Sequence, residues 1–209
     1  MSQHETVYIL DFGAQYAQLI ARRVREHHCY CEILPHDVEP ARLEGAKGII
    51  LTGGPASVYA DHAPRCHPGV FDLSIPVLGL CYGMQLMSHM LGGRVVGADR
   101  REYGHALLNI VEHGDFFHGI PSPTPVWMSH GDSVEDPGPG FQVLATTSNT
   151  PFAAVCHPEK KLYGIQFHPE VTHTERGREM LGDFLLRVCG MNGMQLMSHM
   201  LGGRVVGAD

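Results

Sequence analysis

Basic residues are scarce in this chain: 15 Lys and Arg stand against 22 Asp and Glu, for a formal net charge of -7. That balance excludes a broad nucleic-acid surface, which needs clustered Lys and Arg to neutralise phosphates. Charged residues are only 18% of the chain, too few for a coiled coil or a solvated, disordered segment. Six cysteines, at 29, 31, 66, 81, 156 and 189, lack the spacing of a disulfide framework. The first residues, MSQHETVYIL, lack the basic and apolar blocks of a secretory leader, so reduced thiols and a cytoplasmic location are expected. Residues 73–93 contain no Asp, Glu, Lys or Arg and are of membrane length, but Pro76, Gln85, Ser88, His89 and several glycines interrupt them. A buried strand, turn and helix accounts for them better than a membrane span.

What is present is a core-forming composition, 44% hydrophobic over 209 residues, which suits one large domain or two very small ones. The sequence GMQLMSHMLGGRVVGAD occurs at residues 83–99 and again, unchanged, at 193–209. A structural repeat would have diverged, so residues 191–209 are set aside as a non-native tail and residues 1–190 are read as the domain. Were the second copy to displace the first, Met191 would approach the place of Cys81; the direct join of the first copy to its strand argues against this.

Within 1–190, strand and helix patterns alternate. Strands are predicted at 7–10, 30–34, 48–51 and 76–80, and helices over the apolar stripe Tyr16, Leu19, Ile20, Val24 and over 84–91, where Met84, Met87 and Met90 read as core. Arg22, Arg23 and Arg25 are placed on the solvent side of the first helix. Further strands are predicted at 107–111, 126–128, 141–146, 152–156 and 162–166. Thr172-x-x-Glu175 resembles a capping box ahead of a last helix carrying Met180, Leu181, Phe184, Leu185 and Val188. The expectation is an α/β fold: a mostly parallel sheet with helices on both faces and an antiparallel, strand-rich extension in the second half. Chemistry in such sheets gathers at the carboxyl ends of the strands.

Three such ends carry reactive groups. Gly79-Leu80-Cys81-Tyr82-Gly83 is a G-x-C-x-G elbow, where glycines permit a tight strand-to-helix turn and the sulfur meets a helix N-terminus. His168 and Glu170 follow another strand with the i, i+2 spacing that lets a carboxylate orient an imidazole. Thr52-Gly53-Gly54-Pro55 follows a third and can turn backbone N–H groups inward. Each has a plain structural counterpart: a buried thiol, a solvated His and Glu, an ordinary turn. Together they form an acyl-transfer set.

The sequence resembles the class I, triad-type glutamine amidotransferases, and within them the glutaminase domains of GMP synthases. DFGAQY at 11–16, LTGGPASV at 51–58, GLCYGMQ at 79–85, REYGH at 101–105, WMSHGD at 127–132 and QFHPEV at 166–171 carry the resemblance. It implies Cys81 as nucleophile, His168 as base and then acid, and Glu170 as its orienting partner. The N–H groups of Gly54 and Tyr82 would form the oxyanion hole. Gln85 and Ser129, His130, Gly131 and Asp132 would hold the amino-acid end of L-glutamine. It also implies a partner, an ATP-pyrophosphatase (synthetase) domain or subunit that binds ATP and Mg; no cofactor is expected on this chain, which contains no Ser-Gly-Gly-x-Asp-Ser phosphate loop. Either a separate subunit or an excised domain fits. The alternatives are another triad amidotransferase, a γ-glutamyl hydrolase, or a silent regulatory partner of a synthetase. Cys29 and Cys31, after His27 and His28, lack the further ligands of a zinc site, and no metal, nucleic-acid or membrane partner is expected.

Overall fold

The computed structural model describes residues 5–193, with the backbone alone for 98–101. Its sheet has nine strands in the order β2-β1-β3-β4-β9-β8-β7-β5-β6. They are β1 (Thr6–Asp11), β2 (Tyr30–Pro35), β3 (Gly48–Leu51), β4 (Val77–Leu80), β5 (Arg94–Ile110), β6 (Thr124–Asp136), β7 (Gln142–Thr146), β8 (Ala154–His157) and β9 (Leu162–Ile165). Strands β2, β1, β3, β4 and β9 run parallel. The pairs β9–β8, β8–β7, β7–β5 and β5–β6 are antiparallel. The parallel sheet with an antiparallel extension is therefore present as expected.

The strand alternation divides the core into two layers. Val7 and Ile9 of β1 point to one face with Ile20, Ala21 and Val24 of helix α1 (Ala17–Glu26) and Met180 and Leu181 of helix α3 (Gly177–Asp183). Tyr8 and Leu10 point to the other, with Met84, Leu86 and Met87 of helix α2 (Tyr82–Met90). Helices thus cover both faces, as a parallel sheet requires. Residues 73–93 contain β4 and α2, and no described helix is long and apolar enough to cross a membrane. Met84 and Met87 are fully buried. Cys29 and Cys31 lie in the α1 layer, where burial pushes the Cys29 thiol up to about 11.

Several sequence expectations are corrected. Tyr16 is not part of the buried stripe of α1; it precedes the helix and is 43% exposed. Arg23 is not on a solvated face: its Nε donates to the Glu170 carbonyl at 3.0 Å. The Thr172-x-x-Glu175 pattern caps nothing, because α3 starts only at Gly177 and its N-cap, Arg176, makes no side-chain capping bond. The strands predicted at 107–111 and 126–128 are parts of β5 and β6, a long pair in which burial alternates from Thr124 to His130 although polar Thr124 and His130 occupy buried positions. Helix α2 is built from the first copy of the duplicated segment, so Cys81 keeps its place; Met191 is buried beside α3, its N–H donating to the Leu185 carbonyl. Residues 194–209 of the second copy lie outside the described residues.

The elbow shows why its glycines are needed. A Cβ on Gly83 would sit 2.5 Å from the Leu51 carbonyl oxygen and 2.8 Å from the Leu51 Cβ, at the end of β3. A Cβ on Gly79 would sit 2.7 Å from the Gly83 backbone. The obstacles are main chain, or a Cβ fixed directly to it, and cannot swing aside. Gly83→Ala is therefore expected to cost about 3 kcal/mol, as overpacking in a rigid core does. Urea unfolding of the variant checks this, and a midpoint equal to the parent's contradicts it.

Candidate active site

Four strand ends meet around one cavity of about 790 Å³. After β1, Asp11 Oδ1 accepts the N–H groups of Gly13 at 2.9 Å and Ala14 at 3.0 Å, folding 13–16 into one wall. After β3, the Thr52 hydroxyl accepts the Phe12 N–H at 3.0 Å and so joins the first wall to the glycine turn. Gly53 faces His168 and Cys81: a Cβ there would lie 3.5 Å from the imidazole and 3.8 Å from the Cys81 Cβ. Gly54 backs onto the Phe12 carbonyl at a distance that leaves no room for a side chain. After β4 comes Cys81, and after β9 the segment 166–170.

Cys81 has φ +50° and ψ -104°. A non-glycine residue in this region carries strain of about 1–3 kcal/mol, which persists only where surrounding contacts enforce it. Here the enforcing contacts are the glycine packing just described and the bond from Cys81 N–H to the Ile165 carbonyl at 2.8 Å. Cys81 is 6% exposed and lines the cavity. Tyr82 is the first residue of α2, so its N–H belongs to the donors that a helix leaves unpaired in its first turn.

His168 stands beside the sulfur, with its Nδ1 2.8 Å from Glu170 Oε1. Burial alone would hold the imidazole down; hydrogen bonds to Cys81 and Glu170, and their negative charges, outweigh burial and push it up to about 11. The ring therefore carries a proton across the neutral range, held between sulfur and carboxylate. Glu170 is 2% exposed and its Oε2 has no hydrogen-bond partner among the described residues. The sequence spacing of His168 and Glu170 is thus realised, although β9 ends before them at Ile165 and a turn brings them together.

The fifth wall comes from the hairpin. Register pairs Glu102 with His130, Tyr103 with Ser129, Gly104 with Met128 and His105 with Trp127, so REYGH lies directly across from WMSHGD. The Arg101 side chain lies outside the described residues. Ser129, His130, Gly131 and Asp132 all line the cavity, as does Gln85 from α2. His130 is 4% exposed; burial lowers its basicity although Glu102 Oε2 lies 3.3 Å from its Nε2. The Asp132 carbonyl accepts from the Gln85 amide at 2.7 Å and faces His130 Nδ1 at 3.0 Å. No described group of three or more His, Cys, Asp or Glu side chains is placed to hold a metal ion.

Three residues that sequence reasoning passed over support the triad. Gln166 reaches the Cys81 sulfur. Thr174, buried at 3%, donates to the His168 carbonyl at 2.6 Å and accepts the Trp127 N–H at 3.0 Å, while the His168 N–H donates to the Trp127 carbonyl at 3.0 Å. The His168 backbone is thereby locked to β6. Arg23 holds the Glu170 backbone from α1.

Comparison with known proteins agrees with this geometry. The family model described as "Glutamine amidotransferase class-I" matches residues 8–188. The chain belongs to the class-I glutamine amidotransferases. A curated relative from Caldanaerobacter subterraneus subsp. tengcongensis, named GMP synthase [glutamine-hydrolyzing], is 54% identical over 189 residues. That match covers 90% of this chain and 37% of the relative. A relative of the same name from Ruminiclostridium cellulolyticum is 52% identical over 197 residues, covering 93% of this chain and 39% of the relative. The amidotransferase chain therefore spans well under half the length of these relatives. Among solved structures, a candidate GMP synthase subunit from Thermoplasma acidophilum superimposes with a TM-score of 0.82 at 28% identity, covering 91% of this chain and 96% of that one. A glutamine amidotransferase from Thermotoga maritima, at 21% identity and a TM-score of 0.71, shares the fold.

Proposed function

We propose that this class-I amidotransferase hydrolyses L-glutamine to glutamate and ammonia through a thioester on Cys81, and that the ammonia serves an ATP-dependent synthetase that aminates XMP to GMP. The observation that carries the reading is a cysteine held at a strained elbow against an imidazole whose far nitrogen lies 2.8 Å from a buried carboxylate. The sulfur adds to the side-chain carbonyl carbon of glutamine. The N–H groups of Tyr82 and Gly54 receive the developing oxyanion, each such donor being worth about 3–4 kcal/mol in the transition state. His168, already protonated, gives its proton to the departing amide nitrogen; ammonia leaves and the thioester remains. Water then attacks, with His168 taking its proton, and glutamate departs with the thiolate restored. Glu170 keeps the imidazole oriented and stabilises its cationic form.

The hairpin segment 129–132 and Gln85 form the wall proposed to receive the amino-acid end, with the Asp132 carboxylate as partner for the α-ammonium. ATP and Mg are assigned to the synthetase, as a further domain or a separate subunit, and none to this chain. The names of the two GMP synthase relatives and the length they have beyond this region support that assignment, and action in the cytoplasm is part of the same proposal.

Ammonia release from free glutamine against γ-glutamyl peptides, with and without an added GMP synthetase subunit, tests the reading. Preference for glutamine and a rise in turnover with the synthetase are expected. Preference for γ-glutamyl peptides would make the protein a γ-glutamyl hydrolase instead.

A further inference from the structure

Gln166 is fully buried between the nucleophile and the substrate wall. Its Nε2 lies 3.5 Å from Cys81 Sγ, and its Oε1 accepts from Gln85 Nε2 at 3.3 Å. The orientation of both amides is fixed by one group that can only accept. The Asp132 carbonyl takes the Gln85 Nε2 at 2.7 Å, so Gln85 turns its nitrogen toward Gln166, and Gln166 must answer with its oxygen. The N–H end of Gln166 is then left for the sulfur.

Besides His168, the sulfur's other close polar neighbour is the Ser129 carbonyl, 3.7 Å away. A thiol can donate to that oxygen, but a thiolate is repelled by it. The amide of Gln166 supplies the opposite: a dipole whose positive end faces the sulfur and which needs no rearrangement when charge appears there.

We propose that Gln166 is a catalytic residue of this site, donating an N–H···S hydrogen bond that stabilises negative charge on Cys81, with Gln85 and the Asp132 carbonyl holding it in register. The proposal rests on Cys81 being the nucleophile. It adds a donor on the sulfur to those on the oxyanion. It also joins the substrate wall to the nucleophile: a displacement at Asp132 is passed through Gln85 to the amide that faces the sulfur. No proton is transferred by Gln166; its contribution is electrostatic.

The experiment uses the full chain with Gln166→Met, which preserves volume and removes the donor, and Gln166→Glu, which keeps an acceptor for Gln85 but brings negative charge toward the sulfur. The pH dependence of iodoacetamide labelling at Cys81 is followed by peptide mass, beside glutamine turnover and thermal unfolding. The charged and titratable neighbours of Cys81 remain in both variants: His168 with Glu170 behind it after β9, and His130 on β6. Loss of a hydrogen bond to a charged group is expected to move the labelling midpoint up by about one pH unit in Gln166→Met and further in Gln166→Glu. The kcat for glutamine should fall about tenfold with KM little changed. A purely structural role would lower the unfolding temperature and leave the labelling midpoint in place. Labelling midpoints equal to the parent's in both folded variants overturn the Gln166 assignment alone. A parent that labels at Cys81, shows the midpoint shift in its variants, yet never turns over glutamine supports the donor and overturns the glutaminase reading.

Discussion

Replacing Cys81 by alanine is expected to lower kcat for glutamine hydrolysis by roughly 10⁴-fold or more, because no other group can form the acyl intermediate and the remaining acid, base and oxyanion donors then act on water alone. The same replacement should leave stability nearly unchanged. Alanine at φ +50° carries the same backbone strain as cysteine, and the elbow is held by the Gly79 and Gly83 packing and by the Cys81 N–H bond to Ile165, none of which involves the sulfur. The polar partners of the sulfur that alanine forgoes are Gln166 at 3.5 Å, Ser129 at 3.7 Å and His168, and the imidazole keeps Glu170 at 2.8 Å when the sulfur is gone. Ammonia release at saturating glutamine, beside a thermal unfolding curve, checks both halves. Residual activity within tenfold of the parent would remove Cys81 from the mechanism. A collapse in unfolding temperature would show that the sulfur supports the elbow.

Glu170→Gln should have the next largest effect, a fall of roughly 10⁴-fold in kcat, as when the orienting carboxylate of a triad is neutralised. Glu170 Oε1 is the acceptor that fixes His168 Nδ1 at 2.8 Å. An amide there keeps the shape but presents either an oxygen without charge or an N–H that reverses the imidazole's tautomer. The pH profile should change with it. His168 stays protonated well into the alkaline range because its hydrogen bonds to Cys81 and Glu170, and their charges, outweigh burial. Removing the Glu170 charge lowers that protonation limit. The leaving amide needs a proton from His168, so the alkaline limb of kcat/KM should shift to lower pH in the variant. A variant with reduced kcat and an unmoved alkaline limb would show that Glu170 orients the ring without holding its proton.

The parts of this site that could be read from the chain were those made by near neighbours in sequence. The elbow is a local turn, and its glycines, Cys81 and the helix that follows lie within one short motif. His168 and Glu170 are two residues apart, and the short turn after β9 is enough to bring them together. The continuous apolar runs of β1, β3 and β4 (residues 7–10, 49–51 and 77–80) also announce themselves, because both faces of each strand are covered.

What escaped were side chains whose role is set by a distant partner. Arg23 looks like one of several arginines on the polar side of α1; only the fold brings its guanidinium to the Glu170 carbonyl. Thr174 lay inside a segment whose capping-box pattern pointed to Thr172 instead. Its hydroxyl bonds His168 and Trp127, and the second partner is on another strand. Gln166 was quoted as part of a motif, but nothing in its own neighbourhood shows that it meets Gln85 and Cys81 across the sheet. The hairpin was missed for another reason. Burial alternates along β6, but polarity does not follow it: His130 is buried while Trp127 is half-exposed, and Tyr103 of β5 is exposed, so the apolar-polar alternation that marks a strand is lost from the sequence. The functional kinship of REYGH and WMSHGD came from resemblance, and the register of β5 against β6 supplies its physical basis.

The most direct test of the account is the intact mass of the protein after exposure to a diazo-ketone analogue of glutamine, with Cys81→Ala treated alongside. The analogue is recognised as glutamine and captured by an activated nucleophile, so it reports binding and sulfur chemistry together, even where turnover is slow. One adduct per chain, placed on Cys81 by peptide mass and absent from the alanine variant, is the predicted result. Folded protein that takes up no analogue, or takes it up equally in Cys81→Ala, would contradict the claim that this elbow is a glutamine-directed nucleophile.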